Sequence, residues 1–334
     1  MGNLIIPEEL RVGDTIGIIC PSAGISPKAK HRIRNAIKCL TKMGYKTKVG
    51  KHLVSDGYTA GSIEERVDDI HSMFADSKVK AIIAAIGGNH CDHLLRFIDY
   101  DLIHRNPKIF SGYSDITVLH YAFQAKAGLA TYYGPCAATQ FAEFPDILPY
   151  TKQSFLDAVS IRPNERIIRP SKTWTDEFLD WFQKLDMTRA RKQQKSHGYQ
   201  WLKGGSGVGE ALPACNFSVN RLAGTEYWVE PDGKIVFLDL VLDSLNYALL
   251  DASLTDLFNM GFFDHLNGLV IGRPCGFTQN EVKKVYDRIL SFTEGMKYPI
   301  VANFDLGHTD PINTIRYGQK IEIDSKKNKI VLYK

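Results

Sequence analysis

The sequence lacks most of the features that mark specialised classes of protein. It has only six cysteines and no C-x-x-C pair, so neither a disulfide framework nor a zinc site is predicted. Basic residues outnumber acidic ones by only four, which is weak evidence for a nucleic-acid polymer or an anionic membrane as partner. No apolar run is long enough to span a bilayer. These absences predict a cytoplasmic protein with reduced cysteines.

The overall composition is that of an ordinary globular protein. Hydrophobic residues make up 44% and charged residues 23% of the 334 residues. Residues 1–11 contain no basic stretch followed by a long apolar one, so no secretion signal is predicted. At roughly 150 residues per domain, the length suggests two domains.

Strand-like and helix-like segments alternate through the first half. Apolar runs at residues 15–20, 79–86 and 108–112 alternate with helical periodicity at residues 28–43 and 115–127. Ser62, with Glu65 three residues later, forms a capping box and predicts the start of a further helix. This alternation is typical of βαβ units in a mostly parallel sheet covered by helices on both faces. We therefore predict an α/β, Rossmann-like domain, with ligands at the carboxyl ends of its strands.

A different pattern follows in the second half. Between residues 161 and 203 the periodicity breaks down, and this stretch contains three tryptophans and a basic cluster. Unpatterned stretches this long are usually functional or mobile. Strand and helix patterns then return and end in a hairpin pattern at residues 319–333. We predict an N-terminal domain over residues 1–165, a linker or excursion over 166–203, and a smaller C-terminal α/β domain over 204–334.

Two glycine-rich stretches are candidates for anion binding. Gly87 and Gly88 follow a buried strand, where backbone amides can approach a phosphate or an oxyanion closely. The spacing is not G-x-G-x-x-G and no P-loop lysine follows, so no nucleotide cofactor is predicted. Residues 204–209 lack a preceding apolar strand, and we interpret them as a flexible hinge.

The most informative local pattern is Phe-Ser-Gly-Tyr-Ser-Asp-Ile-Thr at residues 110–117. A strand runs through a Gly-x-Ser step directly into a helix, as in a nucleophile elbow, where a tight turn presents a serine beside the free amides of a helix N-terminus. Gly112 would let the chain turn, although Ile116 replaces the second glycine of G-x-S-x-G. The alternative is that Ser114 is an ordinary helix N-cap, which is the commoner case for this pattern alone.

Two further polar residues follow buried strands. His308 comes after a strand and a glycine, where it would act as a general base or, alternatively, lie in a polar surface turn. Asp239 ends an apolar run, where it would orient an imidazole or, alternatively, cap a helix. His90 and His93 are three residues apart, but no distant ligands complete a metal site, and none is predicted.

Together these segments resemble the LD-carboxypeptidase family of serine peptidases, and most closely its microcin C self-immunity branch. The resemblance extends from about residue 13 to about residue 324. It is carried by Gly87-Gly88, by residues 94–101 and 106–117, by Tyr-Gly-Pro at 133–135, by Leu-Ala-Gly-Thr-Glu-Tyr at 222–227 and by Ala-Asn-Phe-Asp-Leu-Gly-His-Thr-Asp-Pro at 302–311.

The resemblance implies a two-domain α/β enzyme with a serine–histidine–acid triad at the domain cleft. It implies hydrolysis of an amide bond near a free carboxyl group, in LD-peptides in one branch and in peptidyl or aminoacyl nucleotides in the other. By position, Ser114 is the implied nucleophile and His308 the general base, with the amides of Gly88 and Asp115 as the oxyanion hole. Family members are commonly dimers, so a homodimer is a possible assembly.

Asp239 stands where the family has a glutamate. Its side chain is one methylene shorter, so the carboxylate is expected to fall back by roughly 1.5 Å and to weaken or re-tune the triad. Glu210 and Asp243 are alternative acids. Residues 89–92 and 214–217 also depart from the family pattern, at positions where substrate is implied to bind. The substrate is therefore expected to differ from the well-known ones.

The substrate-binding candidates are Gly87, Asn89, Trp181, Asn216 and Arg273. Tryptophans of the excursion would stack on a flat substrate group, or simply pack, and its cations would hold a carboxylate or phosphate. The cations meant are Arg189, Arg191, Lys192 and Lys195.

The main prediction is a serine-type carboxypeptidase or amidohydrolase. It would act on a small peptide or peptide-like substrate with a free carboxylate, through an acyl-enzyme. One alternative is an acyl-transfer or cyclisation enzyme on the same scaffold. The other is a non-catalytic binding protein, which the replacement of the triad glutamate by Asp239 would explain.

Overall fold

The structure is a computed structural model that describes residues 4–241 and 247–334. The strands within this part of the chain are β1 (Thr15–Ile19), β2 (Lys46–Val49), β3 (Val79–Ala84), β4 (Ile109–Gly112), β5 (Tyr132–Tyr133), β6 (Glu165–Ile168), β7 (Thr173–Trp174), β8 (Gln194–Lys195), β9 (Gln200–Lys203), β10 (Ser206–Cys215), β11 (Ile235–Asp239), β12 (Gly268–Gly272), β13 (Ile300–Phe304), β14 (Ile315–Arg316), β15 (Lys320–Asp324) and β16 (Lys329–Tyr333). The helices are α1 (Lys30–Lys42), α2 (Ile63–Ala75), α3 (Tyr100–Arg105), α4 (Thr117–Ala127), α5 (Pro149–Leu156), α6 (Asn216–Asn220), α7 (Tyr247–Asn259) and α8 (Gln279–Phe292).

The first sheet has the strand order β14-β5-β4-β3-β1-β2. Its five strands from the N-terminal half run parallel, and β14 joins β5 in the antiparallel direction. The predicted parallel α/β arrangement is confirmed. Strand β14 comes after the His308 segment in the chain, and it pairs with β5, the strand that comes after α4. The C-terminal part of the chain therefore returns to the first sheet.

The second sheet has the order β6-β16-β15-β10-β11-β12-β13-β9. Strands β10 to β13 are parallel, and β15 and β16 form the predicted terminal hairpin. Its two edge strands are β6 and β9. Except for Glu165, their residues belong to the stretch 166–203, which the sequence predicts to be a linker or excursion. This stretch therefore borders the second sheet on both sides.

The hinge predicted at residues 204–209 is wrong. Residues 206–209 begin β10, which lies inside the second sheet. A Cβ on Gly207 would lie 1.8 Å from the carbonyl oxygen of Asn267, and one on Gly209 would lie 2.6 Å from that of Gly233. The neighbouring backbone thus passes too close for any side chain, which is a common reason for glycine within a strand.

Local signals set several helix boundaries. The capping box predicted for α2 is confirmed, because Ser62 Oγ accepts the amide of Glu65 and the Glu65 carboxylate accepts the amide of Ser62. The same reciprocal pair, Thr278 and Glu281, begins α8. Within the described residues no helix combines the length and the apolar character needed to cross a membrane.

Helix α4 carries the elbow into the centre of the molecule. Nine of its eleven residues are buried, and it packs against α3, α6 and β10. A helix buried on nearly every side must lie between layers of structure. The turn that precedes α4 is consequently placed where the first sheet meets the second domain.

Candidate active site

The turn after β4 is a strained strand-to-helix connection. Ser114 has a φ of 64°, in the left-handed region that costs a non-glycine residue about 1–3 kcal/mol. Its carbonyl accepts a hydrogen bond from Thr117 Oγ1 at 2.7 Å, and its amide donates to the Tyr133 hydroxyl at 3.3 Å. The N-cap of α4 is Ile116 and not Ser114. The turn has the geometry of a nucleophile elbow.

Gly112 is needed for packing rather than for turning. A Cβ at this position would lie 2.9 Å from Cγ2 of Ile116 and 3.1 Å from Cβ of Ala84. The positive φ that a tight turn requires falls on Ser114 instead. The glycine therefore allows β4 and the first turn of the helix to approach each other closely.

Three side chains that are distant in the chain meet at this turn. His308 Nε2 lies 3.0 Å from Ser114 Oγ, and His308 Nδ1 lies 3.0 Å from a carboxylate oxygen of Asp239. A carboxylate only accepts hydrogen bonds, so Nδ1 carries the proton and Nε2 is left to accept from the serine hydroxyl. Asp239 is fully buried, whereas the His308 side chain is 20% exposed. This is the arrangement of a serine–histidine–aspartate triad.

The shortfall expected for Asp239 does not occur. Gly307 has a φ of 85°, and a Cβ built on it would lie 1.9 Å from Asp239 Oδ1. Because glycine has no Cβ, the chain before His308 passes directly over the carboxylate. The loop thus brings the imidazole to the shorter acid.

The Gly307→Ala variant is expected to lower kcat by roughly 10²-fold, since the added methyl group displaces Asp239 or His308 by about 1 Å. The measurement is kcat on any substrate that the native protein hydrolyses. Gly295→Ala is the matched control, because Gly295 also has a positive φ, 78°, but has open space around its Cβ position. Equal losses of activity in the two variants would refute this account of Gly307.

Opposing effects act on the basicity of His308. Burial lowers the pKa of the imidazole, but the carboxylate of Asp239 raises it by more, with a smaller contribution from Asp310. The pKa of His308 therefore lies above its ordinary value. A histidine in this state is a stronger base once it is deprotonated.

The glycine pair after β3 lies against the elbow. A Cβ on Gly87 would meet the Oγ of Ser114 at 3.1 Å and the amide nitrogen of Asp115 at 3.4 Å. Gly88 has a φ of 147° and is packed against Ser22 and Ala23. The absence of a side chain at Gly87 thus leaves open the space next to Ser114 Oγ and the amide of Asp115.

The carboxylate of Asp115 ties this loop in place. It is fully buried and accepts the amides of His90 at 2.8 Å and Cys91 at 2.9 Å, together with the hydroxyl of Ser22. Arg221, the residue directly after α6, donates to the same carboxylate and to the carbonyl of Asn89. One side chain of the elbow therefore joins the 88–91 loop, the loop after β1 and the second domain.

Burial raises the pKa of Asp115, but the charge of Arg221 and the hydrogen bonds from Ser22 and Cys91 lower it by more. The net pKa lies below its ordinary value, so this carboxylate stabilises the fold above the unfolded pKa of about 3.9 and loses that effect as the pH falls.

Asp115→Asn is expected to lower both the melting temperature at pH 7 and kcat, the latter about tenfold, because an amide NH₂ would face the backbone donors. Calorimetry from pH 7 to pH 3 checks the sign of the effect on stability. The difference in melting temperature between the variant and the native protein should become smaller as the pH falls. Asp101→Asn, at an exposed acid in the first turn of α3, is the control. A difference in melting temperature that becomes larger at low pH would contradict the stabilising role assigned to the Asp115 carboxylate.

A cavity of about 240 Å³ opens beside His308. Its lining includes Tyr113, which packs edge-on against the imidazole with ring centroids 5.1 Å apart. Phe178, Leu179 and Trp181 line it from the segment predicted as an excursion. That segment therefore forms one wall of the cavity beside His308.

The two arginines among the cations expected to hold a substrate anion are engaged within the protein. Arg191 contacts Glu143 at 2.6 Å and Asp310 at 2.7 Å, and Arg189 pairs with Glu177 at 2.8 Å. Their charges organise the wall of the cavity. Arg221, which donates to the carbonyl of Asn89 on the glycine loop, is likewise paired, with Asp115 and Asp92.

The other candidates have varied positions. Trp181 lines the cavity, with the guanidinium of Arg32 4.6 Å from its ring centroid. Asn89 is exposed on the glycine loop, and Asn216 is buried at the start of α6, with its Oδ1 accepting the amide of Val241 at 3.2 Å. Arg273 is not brought to this cavity, because Asp305 holds its guanidinium at 2.9 Å beside Trp174.

Of the two alternative acids, only Glu210 lies among the described residues. Glu210 pairs with Lys234 at 2.9 Å. Asp243 lies outside the described residues. Sequence reasoning missed Tyr133, Arg221 and Ser22. Tyr133 occurs in a segment that carries the family resemblance and Arg221 directly precedes another, but neither pattern nor spacing shows that they reach the elbow.

The comparisons with known proteins agree over nearly the whole chain. Residues 16–134 match the LD-carboxypeptidase N-terminal domain and residues 208–323 the LD-carboxypeptidase C-terminal domain. Putative carboxypeptidase YocD of Bacillus subtilis is 34% identical over 95% of this chain and 95% of its own length. Microcin C7 self-immunity protein MccF of Escherichia coli is 30% identical over 96% of this chain and 93% of its own.

A solved structure of MccF in complex with aspartyl sulfamoyl adenosine superposes with a TM-score of 0.90 at 28% identity, covering 99% of this chain and 98% of that one. Identities of 34% and 30% over 95% and 96% of the chain show which family it belongs to. The chain belongs to the LD-carboxypeptidase family of serine peptidases and is an enzyme of the serine carboxypeptidase type.

Proposed function

We propose that Ser114, His308 and Asp239 are the catalytic triad of this hydrolase. His308 removes the proton of Ser114 as the hydroxyl oxygen attacks an amide carbonyl, and then protonates the leaving amine. Water next hydrolyses the acyl-enzyme ester, with His308 again as base. The observation that carries the proposal is the 3.0 Å contact between Ser114 Oγ and His308 Nε2, with Asp239 on the other ring nitrogen.

We propose that the amides of Gly88 and Asp115 stabilise the tetrahedral oxyanion. Support comes from the packing of the glycine loop against Ser114 and from the buried carboxylate that holds residues 90 and 91 to the elbow. Donors fixed before the reaction cost no reorganisation when charge develops.

We propose that the substrate is a small peptide-like amide that has a free carboxylate and a flat ring. Phe178 and Trp181 form an aromatic pair at the cavity, with ring centroids 5.8 Å apart, and Phe178 is 71% exposed. An exposed ring beside a cavity offers a face for stacking. Support also comes from the aminoacyl sulfamoyl nucleosides bound in solved MccF structures.

The test is a panel of aminoacyl sulfamoyl adenosines, LD-tetrapeptides and acidic peptides, with the products identified by mass spectrometry. We expect hydrolysis of an amide with release of a free carboxylic acid. A protein that acylates Ser114 but passes the acyl group only to an added amine would instead be a transferase on the same scaffold. No turnover of any amide and no acylation of Ser114 would overturn the proposal.

The cytoplasmic location and the homodimer are also proposals. Free thiols support the first, because all six cysteines are unpaired and five are buried, as is usual in a reducing compartment. The homodimer depends on the family resemblance, and light scattering would test it.

A further inference from the structure

Apart from His308, Tyr133 is the one side chain among the described residues that hydrogen-bonds to both Ser114 and Asp239. Its hydroxyl donates to Asp239 Oδ2 at 2.6 Å and accepts the amide of Ser114 at 3.3 Å. The side chain is fully buried. We infer that Tyr133 is a positioning residue of the reaction, which holds the Asp239 carboxylate and the strained Ser114 backbone in register. This inference rests on the proposed triad.

The backbone explains how one hydroxyl reaches both groups. In the first sheet β5 pairs with β4, with Tyr133 opposite Gly112, two residues before Ser114. In the second sheet Asp239 is the last residue of β11, opposite Cys215. The hydroxyl of Tyr133 therefore joins the carboxyl ends of strands from two different sheets, at the point where the triad forms.

The two hydrogen bonds have directions that fit this role. A carboxylate only accepts, so the phenol must donate to Asp239, and its lone pair is left to accept the Ser114 amide. Burial, with a further contribution from the charge of Asp239, raises the pKa of Tyr133 well above its ordinary value, so the phenol keeps its proton. A bond to a charged acceptor in a dry site is strong and short.

The contact also limits where the shorter acid can go. Asp239 Oδ2 lies between the Tyr133 hydroxyl and His308 Nδ1, at 2.6 Å and 3.0 Å, while Oδ1 faces Gly307. With both oxygens constrained, the carboxylate has one orientation toward the imidazole. Loss of the phenol donor would concentrate negative charge on the carboxylate and loosen it at the same time.

Tyr133→Phe is the variant that tests this. The readout is the rate at which a fluorophosphonate probe labels Ser114, measured from pH 5 to pH 9, together with kcat and KM on a hydrolysed substrate. We expect kcat and the labelling rate to fall about tenfold with KM little changed. The acid limb of the profile should move to higher pH, because a more concentrated charge on Asp239 stabilises the imidazolium.

Tyr132→Phe is the matched control. Tyr132 is the other residue of β5 and is as deeply buried as Tyr133. Its hydroxyl accepts a hydrogen bond from Arg162 at 3.0 Å, which the Tyr132→Phe variant loses, but no hydrogen bond joins it to the triad among the described residues. A structural loss alone would affect both variants alike. In an Asp239→Asn background, Tyr133→Phe should have a much smaller effect, because the two residues act through one contact.

If Tyr133→Phe does not fold, 3,5-difluorotyrosine at position 133 replaces it. The stronger phenol donor should move the acid limb to lower pH. An unchanged profile and an unchanged rate in either folded variant would overturn the role of Tyr133. That outcome leaves the proposed function standing so long as Ser114→Ala abolishes turnover, so the two failures are distinguishable.

Discussion

Ser114→Ala is expected to lower kcat by about 10⁴- to 10⁶-fold, with little change in substrate affinity. Among the described residues, the Ser114 hydroxyl is the only one that His308 Nε2 contacts, at a distance of 3.0 Å. The variant removes this hydroxyl and adds no atom to the site. The covalent route is then closed, and only polarisation of the bound amide is left. Initial rates on any amide that the native protein hydrolyses, with binding measured by calorimetry, provide the comparison.

Ser111→Ala is the matched control for this prediction. Ser111 lies on β4, three residues before Ser114, and its buried hydroxyl donates to the carbonyl of Pro135 at 3.2 Å. The variant removes a serine oxygen from the same strand without touching the triad. It should keep activity within a few-fold of the native value. Turnover by Ser114→Ala near the native rate would remove the serine mechanism.

Asp239→Asn is expected to lower kcat by about 10⁴-fold. An amide in place of the carboxylate would offer a donor to Nδ1 and favour the tautomer in which Nε2 carries the proton. Nε2 would then be unable to accept from Ser114. The charge that stabilises the imidazolium in the transition state would be lost as well. Steady-state kinetics of the purified variant measures this effect.

The pH dependence separates Asp239→Asn from simple damage to the fold. In the native protein Asp239 raises the pKa of His308 above its ordinary value, so activity should be lost as the pH falls through that raised pKa. Without the carboxylate, burial is opposed only by the smaller effect of Asp310, so the pKa of His308 falls and the acid limb should move to lower pH. Asp239→Glu is the conservative control. An acid limb that stays in place in Asp239→Asn would show that Asp239 does not face the catalytic base.

Local patterns in the sequence predicted the parts of the fold that are governed by local forces. The capping box at Ser62 and the apolar runs of β3 and β11 are of this kind, since propensity and burial act within a few residues. The glycine cluster at residues 204–209 misled us for the opposite reason. Gly207 and Gly209 are glycines because the backbones of Asn267 and Gly233, which are remote in sequence, pass too close to them for a side chain.

The same distinction applies to the site. Ser114 and His308 could be selected because each follows a strand at the edge where α/β proteins bind ligands. Tyr133 could not, because its role depends on a contact with a residue 106 positions away. Arg273 is a comparable case, since its ion pair with Asp305, 32 positions away, could not be foreseen from the strand that precedes it. Pairing between remote side chains is what the sequence alone does not reveal.

The most direct test is to map the site of fluorophosphonate labelling and to follow its rate with pH. The account predicts a single phosphonylated residue, Ser114, labelled at a rate that rises with pH through the raised pKa of His308 and falls sharply in His308→Gln. Labelling at a different residue, or none at Ser114 in a preparation that still hydrolyses its amide substrate, would contradict it.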